Sequence, residues 1–154
     1  KKTESEKKDS EKKEFDMDRK IEHIIVHCSD TYAEMNVGAE WIDRLHSGFG
    51  WQGCGYHFVV RRNGTIEPGR DINVAGAHAR NFNAHSIGIC WIGGKGSDNN
   101  PDDNRTIDQL KSIRVLLDTL THTFPDAVVC GHRDLPGVTK SCPCFDVESW
   151  YYVC

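Results

Sequence analysis

The chain has 154 residues, 38% of them hydrophobic and 27% charged, with a formal charge of −4 at pH 7. That length supports one domain with its own core and is too short for two ordinary ones. The negative balance gives no electrostatic case for nucleic acid as a partner, and the apolar runs are too short to span a bilayer.

Residues 1–20, KKTESEKKDSEKKEFDMDRK, hold eight basic and seven acidic side chains, with Phe15 and Met17 as the apolar ones. Such a segment cannot bury enough surface to offset its ordering entropy. It reads as a charged disordered tail, linker or tag remnant, and nothing in it reads as a signal peptide. Residues 21–154 form the body, for which an α/β fold with a central mixed sheet is expected.

IEHIIVHCSD opens the body. Its β-branched run Ile24, Ile25, Val26 suits a buried strand. His27 lies at its end, and Ser29 and Asp30 stop it. Asn36 is the expected cap of a helix through VGAEWIDRLHSGFG, in which Val37, Trp41, Ile42 and Leu45 recur at helical spacing. GYHFVVRRNGTIEPG predicts a hairpin turning at Asn63-Gly64. SIGICWIGG predicts a second buried strand, closed by glycines. After a polar loop, Thr106 is placed to cap a helix reaching about residue 123, with Leu110, Ile113, Leu117 and Leu120 on one face. AVVC is a short strand running into Gly131 and His132, and DVESWYYVC ends the chain as a short helix.

The seven cysteines cannot all pair within one chain. Cys90 and Cys130 sit in apolar runs and read as small buried hydrophobes. Cys142 and Cys144 stand instead among prolines and glycine. Three candidate ligands emerge: His27 after the first strand, His132 after the last, and Cys142 ten residues beyond His132. If the two strands are neighbours, their carboxyl ends lie together, where open α/β sheets keep their sites. Two imidazoles and a thiolate suit a single Zn2+ with a fourth position open to water. On the residues alone, Cys142-Pro143-Cys144 is equally readable as a disulfide partner or part of a structural zinc knuckle. The spacing has no CxxC pair to support a closed four-cysteine site.

Four stretches, in order, carry a resemblance: IIVHCSDT (24–31), GYHFVVRRNGTIEPGR (55–70), GAHARNFNAHSIGIC (76–90) and GHRDLPGVTKSCPCFD (131–146). With them the chain resembles the type 2 N-acetylmuramoyl-L-alanine amidases, a family that includes short phage endolysins and shares its fold with peptidoglycan recognition proteins. The resemblance implies a zinc site of His27, His132 and Cys142, and catalytic roles for Tyr56 and Lys140. It places His78 and Asn83 in the substrate groove, with Arg80 and Arg70 as candidates for stem-peptide carboxylates. It implies hydrolysis of the amide between N-acetylmuramic acid and L-alanine, with peptidoglycan or muropeptides as partner. The alternative is a muropeptide-binding module that does not cut, against which the presence of Cys142, Tyr56 and Lys140 speaks; a structural zinc protein is a third reading. A monomer acting on the cell wall is expected, either a phage enzyme released from the host cytoplasm or a bacterial enzyme whose leader has been removed. Cys28 is expected to face away from His27, by the strand period of two, and His85 to be structural. His23, His46, His57 and His122 are read as ordinary.

Overall fold

A computed structural model describes residues 19–152. The first 18 residues of the expected tail lie outside the described residues. The elements are β1 (His23–Cys28), β2 (Thr31–Tyr32), α1 (Ala39–Gly48), β3 (Phe58–Val60), β4 (Ile66–Pro68), β5 (Ser86–Trp91), β6 (Gly94–Lys95), α2 (Ile107–Thr123), β7 (Val128–Gly131) and α3 (Val147–Tyr152). The main sheet has the order β4-β3-β5-β1-β7. The pairs β3–β5, β5–β1 and β1–β7 are parallel and β3–β4 is antiparallel, so the sheet is mixed, as expected.

The run 24–26 of β1 is continuously apolar because the strand has neighbours on both sides and layers on both faces. Ile24, Val26 and Cys28 point into a cluster with Ile113, Leu117 and Val147 of α2 and α3. Ile25 points the other way, toward Ala79, Cys130 and Leu135, and His27 shares that face by the period of two. On this second face α1 packs through Ile42 onto Val59, Cys90 and Ile92. Each such fully buried Ile or Leu contributes roughly 1.5–3 kcal/mol through removal from water.

α2 starts at Thr106, which forms a capping box with Gln109. Its buried face differs from the expectation: Leu116 replaces Leu110, and Gln109 is itself fully buried. Gln109 Nε2 donates to the Val60 and Ile92 carbonyls, while its Oε1 accepts from Thr106 N and Arg62. One amide thus satisfies the frayed ends of β3 and β5.

α1 begins later than expected. Gly38, not Asn36, is the N-cap, and the first turn is served by a carboxylate from another element: Ala39 N donates to Glu67 Oε1 of β4 at 3.0 Å. A Cβ on Gly38 would stand 2.1 Å from that oxygen, so glycine is what admits Glu67 to the helix terminus, where a negative charge is favourable. Asn36 is occupied by the Arg61 guanidinium instead. The hairpin turns as expected, but across five residues, with Val60 paired to Ile66 and Gly64 at φ +87°. Arg19, at the edge of the expected tail, is hydrogen-bonded to the carbonyls of Ile72, Asn83 and Ser86.

A groove at the carboxyl ends of the parallel strands

The register of β1 and β7 pairs Val26 with Gly131. The next residue on each strand is a histidine, so His27 and His132 are set side by side, with ring centroids 4.6 Å apart. His132 opens a 3-10 turn, His132–Asp134, in which Asp134 Oδ2 accepts from Gly131 N at 2.8 Å. The following loop doubles back: Arg133 N donates to the Cys142 carbonyl at 2.8 Å, and Trp91 Nε1 donates to the Pro143 carbonyl at 3.2 Å. These bonds return Cys142 to the strand ends. One donor atom from each of His27, His132 and Cys142 lies within 4.8 Å of the others, and among the described residues this is the one group of such side chains able to hold a metal ion.

The protonation states suit that use, since a metal binds neutral imidazole and thiolate. Burial holds the His27 pKa well below the ordinary histidine value, and the neighbouring His78 and His132 push it the same way. Burial, then Lys140, lowers His132. The Cys142 thiol is pulled down, first by its hydrogen bond with the Cys28 thiol and further by the Cys28 amide and Lys140, against the cost of burial. Cys28 itself is pushed up to about 12. Cys28 faces the opposite side of β1 from His27, as its strand position requires, and its Sγ lies 3.7 Å from Cys144 Sγ.

These groups stand in an open groove of about 980 Å3. Tyr56 is half-buried on its wall, with its ring 5.1 Å from that of His27. Burial raises its pKa well above the ordinary tyrosine value, so the hydroxyl keeps its proton. Lys140 is exposed on the loop after β7, two residues before Cys142, and lines the same groove. Arg80 is exposed on the rim. Asn83 also lines it, but its Oδ1 accepts from both His78 N and Ala79 N at 2.9 Å, which shapes the loop. His78 lies on the floor, its Nδ1 2.8 Å from His27 Nε2 and its Nε2 3.3 Å from Ser86 Oγ. Arg70 is turned inward and donates to the carbonyls of Gln52, Cys54 and Ala75. His85 is exposed, and its Nδ1 meets the Lys20 carbonyl.

Two side chains that look ordinary in the sequence belong to the groove. His46 ends α1 on a buried position, and its Nδ1 accepts from Gly55 N at 2.8 Å, next to Tyr56. Trp51 packs edge-on against His46 at 4.7 Å and forms part of the wall while remaining 44% exposed. The helical repeat of α1 marks position 46 as inward-facing, which is the one signal for it; nothing local marks Trp51. His57 lies beneath, accepting from Gly88 N and donating to the Val74 carbonyl, and burial lowers its pKa to about 4.

Comparison with known proteins agrees with this architecture. The family model described as N-acetylmuramoyl-L-alanine amidase matches residues 17–145. The chain is 39% identical over 139 residues to an endolysin of Enterobacteria phage K11, covering 90% of this chain and 91% of that one. Among solved structures it is similar to the N-acetylmuramoyl-L-alanine amidase LysC of Clostridium intestinale, with a TM-score of 0.72 at 28% identity, covering 84% of this chain and 80% of that one. It is also similar to Drosophila PGRP-LB, with a TM-score of 0.69 at 25% identity, covering 82% and 76%. A family match over residues 17–145, with an endolysin relative that covers 90% of the chain, leaves one conclusion: the chain belongs to the N-acetylmuramoyl-L-alanine amidase family.

Proposed function

We propose that this chain hydrolyses the amide joining the lactyl carbonyl of N-acetylmuramic acid to L-alanine in peptidoglycan, using one Zn2+ held by His27, His132 and Cys142. The observation that carries the reading is the convergence of those three donors beside Tyr56 and Lys140 in one groove. Two neutral imidazoles and one thiolate form a borderline-soft set that suits zinc and leaves a net +1 charge on the loaded site. When bound, zinc supplies Lewis-acid activation of water and of the amide carbonyl.

The protein's own groups do the rest. The Tyr56 hydroxyl stays protonated and orients the attacking water or relays its proton. Lys140 places a cation at the groove edge, where negative charge develops on the carbonyl oxygen. The C–N bond breaks, the water oxygen ends on the lactyl carboxylate, and a proton ends on the alanine amine. The wall formed by His78, Arg80 and Asn83 receives the stem peptide, with Arg80 available to its carboxylates. Every group named comes from one chain, so the monomer is the unit of activity, and the cell wall is where it acts.

The test is digestion of purified sacculi with and without a chelator. New L-alanine amino termini and intact glycan strands in the mass spectrum are expected with metal, and neither after chelation. Because the core is built from Ile, Leu and Val rather than around the metal group, the far-UV circular dichroism should persist without metal. Wall binding with no turnover in the presence of zinc would replace this reading by that of a recognition module.

A further inference from the structure

We infer that His78 is a positioning residue for His27, selecting which nitrogen of that ring faces the metal. This rests on the proposal that His27 is a metal ligand. The geometry is that of a buried relay. His27 Nε2 lies 2.8 Å from His78 Nδ1, and His78 Nε2 lies 3.3 Å from Ser86 Oγ. His27 and Ser86 are 1% and 0% exposed, and His78 between them is partly buried at the edge of the groove. With Nε2 engaged, Nδ1 is the His27 nitrogen left for the metal. A nitrogen that binds metal carries no proton, so the proton sits on Nε2 and is donated to His78 Nδ1. His78 then carries its own proton on Nε2 and donates it to Ser86 Oγ. Each hydrogen bond has one donor and one acceptor, and both rings are neutral.

Ligand histidines are usually held through their second nitrogen by a carboxylate, a carbonyl or water. Here another imidazole takes that place, and the fold makes room for it. A Cβ added to Gly88 of β5 would stand 2.6–2.8 Å from three atoms of the His78 ring, and one added to Gly76 would stand 2.5 Å from its Cδ2. The ring therefore lies against bare backbone at two glycines, and its orientation is fixed by packing as well as by hydrogen bonds. His78 thus lines the groove with both of its nitrogens already engaged inside the protein.

Two measurements test this. The first is long-range 1H–15N correlation of the histidine rings in the full chain, with and without Zn2+. His27 protonated on Nε2 with a bare Nδ1, and His78 protonated on Nε2, is expected; a proton on His27 Nδ1 overturns the assignment. This needs no variant, so it decides the matter even where a substitution unfolds the chain. The second is Zn2+ affinity by chelator competition. His78→Phe fills the slot without an acceptor and should weaken binding roughly 10- to 100-fold, the range for outer-shell partners of metal ligands. His78→Asn puts Oδ1 one bond from Cγ, where histidine carries Nδ1, and should recover most of the affinity. Equal affinity in wild type and H78F overturns the positioning role while leaving the metal reading intact. Failure of the wild type to bind Zn2+ overturns the metal reading itself.

Discussion

The backbone amide of Cys28 donates to Cys142 Sγ at 3.2 Å, across 114 positions of sequence. The bond joins the end of β1 to the loop after β7 and favours the thiolate of the proposed metal ligand. Cys142→Ser keeps the size of the side chain but replaces a soft donor by a neutral hydroxyl. It should lower Zn2+ affinity by at least roughly 100-fold and reduce amide cleavage in proportion, while the melting temperature without metal stays near that of the wild type. Equilibrium dialysis of Zn2+ against both proteins checks this, and unchanged affinity in the serine variant would remove Cys142 from the ligand set.

Tyr56 and Lys140 both line the groove and should fail in different ways. Lys140→Ala removes a charge that acts on the developing oxyanion, so kcat should fall roughly 100- to 1,000-fold with KM little changed. Tyr56→Phe keeps the ring packed against His27 and removes the proton-handling hydroxyl, for an expected loss in kcat of roughly 100- to 10,000-fold. Steady-state kinetics on a soluble muropeptide separates the two constants. A rise in KM alone in either variant would assign that residue to binding instead.

Acid should destabilise the fold through His57 before the carboxylates titrate. Its pKa is about 4 in the folded state, against roughly 6.5 for an unperturbed histidine. Between these values the unfolded chain binds the proton and the native chain does not, so stability rises with pH across that window. The contribution is therefore complete above about pH 6.5 and is lost as pH falls toward 4, with a total on the order of 3 kcal/mol. Urea unfolding at pH 7 and pH 5 should show the drop. His57→Gln, which has no ionisable ring, should reduce the slope over that interval, leaving the share of His27 and His78, which burial also holds below the ordinary histidine value.

Gln109→Leu tests the polar bridge at the far edge of the sheet. The substitution leaves the Val60 and Ile92 carbonyls without the donors that Gln109 Nε2 supplies. Each carbonyl keeps a second donor, Ile92 N on Val60 and Arg62 on Ile92, so the loss is that of hydrogen bonds worth roughly 0.5–1.5 kcal/mol each, and unfolding by urea should shift by about 1–3 kcal/mol. Activity at low temperature should persist, because the bridge stands on α2 and takes no part in the groove. A stability equal to wild type would show that the donors left on the two carbonyls suffice.

Much of the architecture was legible in local pattern. The β-branched run at 24–26, the Asn63-Gly64 turn and the Thr106 cap each announce an element whose driving force lies within a few neighbouring residues, and each element is present. Local pattern was less reliable where a distant group intervened. Asn36 is a good cap by composition, yet Glu67 reaches the helix start from β4 and moves the cap to Gly38. Leu110 fits the apolar repeat, yet Gln109 takes the buried position, where its amide bridges the carbonyls of Val60 and Ile92.

The same division holds at the site. Residue type and motif order were enough to single out His27, His132 and Cys142, since the chemistry of soft and borderline donors is written in the side chains themselves. The pairing of Val26 with Gly131 is what sets the two rings side by side, and strand register arises from contacts between segments about a hundred residues apart. His46, Trp51 and the His27–His78 contact are of that second kind. Their roles depend on which backbone leaves room and which nitrogen is already occupied, and both are settled only when separate strands and loops close on one another.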